Sequence, residues 1–208
     1  LYKKQVPILN ISEALKKKSY ILKPQKLVRG NADKEIKNSL HKLEGELYCG
    51  GQDHFYLEGQ IAFTIPKEDN NFLIYSSTQH PSETQQIIAK VLKQKFNSID
   101  VQVRRIGGGF GGKESQSFIF AAISALFSKK LNKPAKLRVD RDDDMIITGK
   151  RHDFYFKYKV GFSEKGKIKG INVKLASRCG YSADLSGAVN DRAIYSIDNA
   201  YLIPSLKL

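Results

Sequence analysis

The sequence predicts an α+β fold: a mixed sheet with antiparallel hairpins and packed helices. Three stretches carry that prediction. Phe154, Phe156, Tyr158, Val160 and Phe162 alternate with polar residues, turn at Ser163 to Gly166, and return through Ile168, Ile171, Val173 and Leu175, which is a hairpin by its period of two. Ile99 to Ile106 alternates in the same way and runs through a glycine cluster into an apolar helical stretch. Between Pro81 and Phe96 the apolar residues recur at helical spacing. A hairpin beside strand-to-helix units argues against a purely parallel sheet.

Each element has a local reason. Ile11 to Lys18 is a short candidate helix. Leu43 to Phe63 reads as strand, turn and strand, interrupted by Gly50-Gly51. At Pro81-Ser82-Glu83-Thr84-Gln85 a serine stands three residues before a glutamine, the spacing of a capping box that starts a helix. Ile87, Ile88, Val91, Leu92 and Phe96 continue that helix on one face, for about four turns. Phe118 to Phe127 is apolar nearly all the way round, so this helix is expected to be buried.

Composition bounds the class. With 208 residues, 41% hydrophobic and 10% aromatic, the chain is long enough to bury a core and is expected to form one domain over residues 1–208. No apolar run approaches the roughly 20 residues that a membrane-spanning helix needs. The opening LYKKQVPILNIS lacks the apolar stretch and small-residue cleavage site of a secretory signal, so a cytoplasmic protein without membrane partners is expected. Thirty-five basic against 21 acidic residues leave a net charge of +14, which invites a nucleic-acid partner. The lysines are scattered in short groups, with neither a basic helix for a groove nor an aromatic-studded strand. No nucleic-acid role is therefore expected. Cys49 and Cys179 stand alone without CxxC spacing, so neither a disulfide framework nor a zinc site is announced, and both are expected as buried free thiols. His41, His54, His80 and His152 are equally solitary, more consistent with structural roles than with metal binding.

The chemistry concentrates at VRRIGGGFGGKESQSF, residues 103–118, with five glycines in six positions around Phe110. Strand, bare loop and helix can hold an anion through main-chain N–H groups, and each glycine costs conformational entropy. One or two glycines would serve a tight turn. Gly107 to Lys113 matches GxxxxGK, but a nucleotide-binding loop continues with Ser or Thr to ligate magnesium, whereas here Glu114 follows and would repel phosphates. GxGxxG also fits, though any glycine run this dense would fit it. A second stretch, LYCGGQDHFYLEGQ, sets Gln52 after a Gly-Gly turn at the head of an apolar, aromatic strand. Its amide offers donor and acceptor without charge.

At these stretches the chain resembles the molybdenum hydroxylases of the xanthine dehydrogenase type. GGQDHFYLE, STQHPSETQ, RIGGGFGGKE, DRDDDMIITGKRH, KYKVGF and DNAYLIP follow one another in the family's order over nearly the whole length. The resemblance implies an α+β domain that cradles a molybdenum-molybdopterin cofactor and hydroxylates purines with water-derived oxygen. By position, Gln52 would hydrogen-bond an oxygen ligand of molybdenum, with no residue ligating the metal directly. Gly109, Phe110 and Gly111 would approach the cofactor through the backbone, and Glu114 would orient the purine. FAD and 2Fe-2S clusters are expected on other domains or chains, since two lone cysteines cannot hold a cluster, and an iron–sulfur/flavin domain or subunit would take the electrons. Asp53 stands where the family commonly has glutamate. The chain stops at Leu208 where the family continues with a second glycine-rich motif and a late general base, so this polypeptide alone is expected not to turn over purines. The remaining C-terminal part of the molybdenum chain is an expected partner. Uncovered apolar patches and a possible homodimer are expected too. Aldehyde or other heteroaromatic substrates are the alternative, and a non-catalytic basic binding module is the reading from another class.

Overall fold

A computed structural model describes residues 2–208. Its helices are α1 (Ile11–Lys16), α2 (Ala32–Asn38), α3 (Pro81–Leu92), α4 (Ser117–Leu131), α5 (Arg141–Ile147) and α6 (Ser186–Tyr195). Its strands are β1 (Val28–Arg29), β2 (His41–Cys49), β3 (Ile61–Pro66), β4 (Phe72–Ser76), β5 (Ile99–Gln102), β6 (Ala135–Arg138), β7 (Phe154–Phe162), β8 (Ile168–Ser177) and β9 (Leu206–Lys207). They form two compact units, one of residues 2–51 and 152–208, the other of residues 52–151. No helix among the described residues is long and apolar enough to cross a membrane.

The first unit is built on a five-stranded sheet of order β1-β9-β8-β7-β2. The expected hairpin is its centre: β7 and β8 pair antiparallel from Phe154 opposite Ser177 to Phe162 opposite Ile168, with an irregularity at Gly161/Phe162. Helix α2 lies against that irregular end, where a methyl group on Gly161 would meet Ile36 Cα at 2.8 Å. Glycine is therefore required there for close helix approach.

The second unit holds the core. A four-stranded sheet of order β5-β4-β3-β6 is covered by α3 and α4, and Ala62, Phe72, Ile74, Ile88, Leu92, Ile99, Ala121 and Ala125 close the space between them. Burying a side chain such as Ile74 contributes about 1.5–3 kcal/mol. The small buried residues of α4, Ala121, Ser124, Ala125 and Ser128, bring that helix close to the sheet, and Ser124 Oγ reaches Thr64 Oγ1 at 3.0 Å.

Several expectations are corrected. Of the strand, turn and strand expected over residues 43–63, the first strand is β2 and the second begins only at Ile61; they do not pair with each other, since β2 pairs with β7 in one sheet and β3 with β4 and β6 in the other. The intervening chain is irregular, because the Asp53 carboxylate accepts the Phe55 N–H at 2.7 Å and Phe55 turns left-handed at φ 48°. Helix α3 starts earlier than the capping-box reading. His80 is its N-cap, Pro81 takes the first turn, where its missing N–H costs nothing, and Gln85 instead bonds the carbonyls of Phe96 and Ile99. The helix ends at Leu92 with Lys93 left-handed, so Phe96 lies outside it. The strand expected over residues 99–106 ends at Gln102, because its parallel partner β4 offers pairing only from Phe72 to Tyr75. Helix α4 is not buried all round: Ile119, Leu126 and Phe127 are exposed, since the sheet and α3 cover one side only. Cys49 is exposed and Cys179 half-exposed, both free. Helices α2, α5 and α6 and strands β1, β4, β6 and β9 have no counterpart in the sequence reading.

Candidate cofactor-binding site

Beyond Gln102 the chain leaves the sheet and forms the glycine loop before entering α4. Gly112 N–H donates to Gly109 O at 2.8 Å, with Phe110 at φ 53° and Gly111 at φ 92°. Two successive positive φ angles make this a type I′ turn. Gly111 suits its place, whereas a bulky side chain at positive φ is strained, and such strain persists only where neighbours over-determine it.

Two segments supply those neighbours. Residues 54–58 run beside the loop: Glu58 N–H donates to Gly107 O at 3.1 Å, Gly107 N–H donates to Glu58 Oε2 at 2.9 Å, and the His54 ring lies against Gly111. From the end of β4, Gln79 Oε1 accepts the N–H groups of Gly111 and Lys113 at 3.0 and 3.2 Å, while Gln79 N–H donates to Lys113 O at 2.8 Å. The glycines follow from this packing. A methyl group would stand 2.5 Å from Glu58 Cβ at Gly107, 2.5 Å from Gln79 Oε1 at Gly109, and 2.7 Å from Tyr56 Cε1 at Gly112. At these three positions the glycines admit the protein's own side chains. At Gly111 a methyl group would meet only the His54 ring, at an ordinary contact of 3.8 Å, so the positive φ and not crowding favours glycine there.

Lys113, the residue that made the loop resemble a phosphate-binding motif, is wholly buried at 0% exposure. Its ammonium donates to Glu58 O at 2.6 Å and Ser77 Oγ at 2.7 Å and lies 3.4 Å from Glu58 Oε2. It also sits 4.6 Å above the centre of the Tyr56 ring. A lysine so engaged has no ammonium to offer phosphates. The Tyr56 hydroxyl donates to Asp144 Oδ1 at 2.6 Å, and Gln60 Nε2 donates to the Tyr56 hydroxyl and to Gly112 O.

The electrostatics follow from these contacts. Burial lowers the Lys113 pKa from its ordinary value, partly countered by Glu58. Burial pushes the Glu58 carboxyl up, but the Gly107 N–H, Ser77 and Lys113 together hold it below the usual carboxylate value. Burial and the Asp144 hydrogen bond push the Tyr56 hydroxyl up to about 12. Burial and Arg151 lower the His54 pKa, which keeps its ring neutral near pH 7.

The sequence-selected residues are placed as follows. Phe110 is exposed, and its N–H has no hydrogen-bond partner among the described residues. Gly109 is buried against Gln79, and Gly111 spends its N–H on Gln79. Glu114 is half-buried and makes no hydrogen bond or ion pair among the described residues. Gln52 is exposed; its carbonyl accepts the Arg151 N–H at 2.9 Å, and no hydrogen bond joins its side chain to the loop. Gln79 was overlooked, although STQHPSETQ contains it: only its tertiary position marks it out. Its Nε2 has no protein partner among the described residues. The Gln60 Oε1 atom is buried and also unpartnered. Among the described residues, no group of three His, Cys, Asp or Glu could hold a metal ion.

This donor set suits an oxygen-rich cofactor held from its periphery: a bare main-chain N–H at Phe110 and an exposed amide NH2 at Gln79. Residues 14–208 match the molybdopterin cofactor-binding domain. The chain belongs to that family. It is 42% identical over 208 residues to xanthine dehydrogenase/oxidase of Gallus gallus, covering 100% of this chain and 15% of that protein. It is 40% identical over 201 residues to aldehyde oxidase 2 of Cavia porcellus, covering 96% of this chain and 15% of that protein. The chain thus spans about a seventh of the length of these relatives, which are oxidoreductases of the xanthine dehydrogenase type. Its fold is shared with the aldehyde oxidoreductase of Desulfovibrio gigas, with a TM-score of 0.78 at 22% identity, over 88% of this chain and 20% of that one. Quinoline 2-oxidoreductase from Pseudomonas putida shares it at a TM-score of 0.71 and 17% identity, over 88% of this chain and 24% of that one.

Proposed function

We propose that this molybdopterin-binding chain serves a xanthine dehydrogenase-like molybdenum hydroxylase acting on purines such as hypoxanthine and xanthine. One observation carries the purine reading: Glu114, half-buried at the head of α4 beside the glycine loop, has no partner of its own. A carboxylate left unpaired there can accept hydrogen bonds from purine N–H groups or, when protonated, donate to a ring nitrogen. The Phe110 N–H would hold an oxygen atom of the cofactor. Gln52 would donate to an oxygen ligand of the metal, and Gln79 Nε2, whose Oε1 is already fixed on the loop, is a second amide free to do so. When bound, the molybdenum pterin supplies the two-electron oxidising centre; the residues here orient what approaches it. The electrons would pass to iron–sulfur and flavin domains elsewhere in the protein, which we expect to be cytoplasmic. The chain would serve as one cofactor-binding domain of that protein.

The likeness to aldehyde oxidase 2 favours an aldehyde or other heteroaromatic substrate as the second reading. The full-length protein carrying Glu114→Val separates the two. The purine reading expects xanthine turnover to fall by about a hundredfold or more, as when a buried polar partner is removed, with aldehyde oxidation retained. Unchanged xanthine kinetics would dismiss it. Replacing Gln52 and Gln79 singly by Ala, with molybdenum content measured alongside turnover, decides which amide serves the metal; a loss confined to Gln79→Ala would move the role from Gln52 to Gln79.

A further inference from the structure

We propose that Lys113 and Glu58 form an internal latch that sets the glycine loop, acting as positioning residues for Phe110 and Glu114. Glu58 grips one end of the loop: its main-chain N–H donates to Gly107 O, and its carboxylate accepts the Gly107 N–H. Lys113 is the other end, joined to Phe110 through Gly111 and Gly112 and followed at once by Glu114. The ammonium of Lys113 reaches back to the Glu58 carbonyl and towards its carboxylate, so the pair ties residue 107 to residue 113 across the turn. Ser77 completes the latch, donating to Glu58 Oε2 at 2.6 Å while accepting from Lys113 Nζ. The Lys113 carbonyl is held separately by the Gln79 N–H and by the hydroxyls of Thr78 and Ser117.

This arrangement accounts for three facts together. A lysine is wholly buried, which is unfavourable unless its charge is met. A phenylalanine is held left-handed in a tight turn, which requires constraint from outside the turn. The next residue is an unpaired carboxylate whose main chain starts from an immobilised lysine. Without the latch the turn would relax, and the Phe110 N–H and the Glu114 carboxylate would lose their fixed directions. That those groups serve a pterin and a purine rests on the function proposed above; the latch itself does not.

The test uses the full-length protein with Lys113→Met, which removes the charge at similar length, and Glu58→Gln, which keeps an acceptor for Gly107 and Ser77. Amide hydrogen exchange should accelerate at Gly107, Gly111 and Lys113 by about tenfold or more in Lys113→Met and less in Glu58→Gln, with the core amides of Ile74 and Ile88 unmoved, the pattern of local opening. In steady state, KM for xanthine should rise about tenfold while kcat changes little, the mark of lost binding geometry. Exchange that stays at the native rate in the loop, or that rises equally in loop and core, would overturn the latch. A loosened loop with unchanged molybdenum content and KM would overturn its positioning role. Should Lys113→Met not fold, the Glu58→Gln exchange profile decides alone. If the unsubstituted protein carries no molybdenum, the cofactor reading falls while the exchange result still judges the latch.

Discussion

A methyl group at Gly112 would lie 2.7 Å from Tyr56 Cε1 and 2.8 Å from the His54 ring, and the tyrosine cannot retreat because Asp144 and Gln60 hold its hydroxyl. Gly112→Ala should therefore destabilise the protein by about 1–3 kcal/mol, the usual cost of overpacking. Gly109→Ala meets the flexible Gln79 side chain from Cγ to Oε1, which can swing away at the loss of its two loop hydrogen bonds, about 1 kcal/mol each. Urea denaturation measures both losses, and a Gly109→Ala loss well above about 2 kcal/mol would show that Gln79 cannot swing away. Glu58 predicts a pH dependence. Its folded pKa lies below its ordinary value of 4.5, so its contribution is fully present above about pH 4.5 and is lost as pH falls through the lower folded value. Loop exchange, corrected for intrinsic rates, should thus accelerate in acid below pH 4.5, and Glu58→Gln should flatten that response. None of this was legible beforehand. The glycines were conspicuous, but the side chains they make room for come from residues 54–58 and 79, distant in sequence and unmarked by any local pattern.

Among the elements, α4 shows how pattern and environment part company. Its composition is apolar on every side, which reads as full burial, yet only the small-residue face is covered. Ala121 is fully buried in the core, so Ala121→Leu should cost about 1–3 kcal/mol. Phe127 is 56% exposed, so Phe127→Ser should change stability by no more than about 0.5 kcal/mol. Chemical denaturation of the two variants checks both, and a large loss for Phe127→Ser would mean that the outer face is packed. The β7–β8 hairpin was readable because alternation and turn are local signals. The start of α3 was misread because His80 caps from outside the serine-to-glutamine spacing. Its glutamine is spent on Phe96 and Ile99, whose carbonyls come near only once β5 returns beside β4.

For the molecule as a whole, the two units differ in what they bury. The second has a continuous apolar core. In the first, alternation sets Leu43, Leu47, Phe156, Tyr158, Val160 and Val173 on one face of the sheet, and none of them is buried; Leu47 is 60% exposed. A contiguous apolar sheet face of this kind favours association. The 208-residue chain by itself should self-associate with rising concentration, and Leu43→Thr with Leu47→Thr should weaken that association in sedimentation velocity. A monomer at every concentration would show that the face is tolerated in water.

Membership of the molybdopterin-binding family, the α+β class, the hairpin, the helix after Pro81 and the singular glycine loop were all determined by the sequence itself. Each is written in contiguous residues, as a period, a turn or a motif. Which side chains the loop accommodates, where Lys113 directs its charge, which glutamine meets the loop and which face of α4 stays in water were decided by tertiary structure alone. Those outcomes depend on contacts between segments tens of residues apart, and a buried ammonium or a strained turn becomes tolerable only when such contacts exist to balance it.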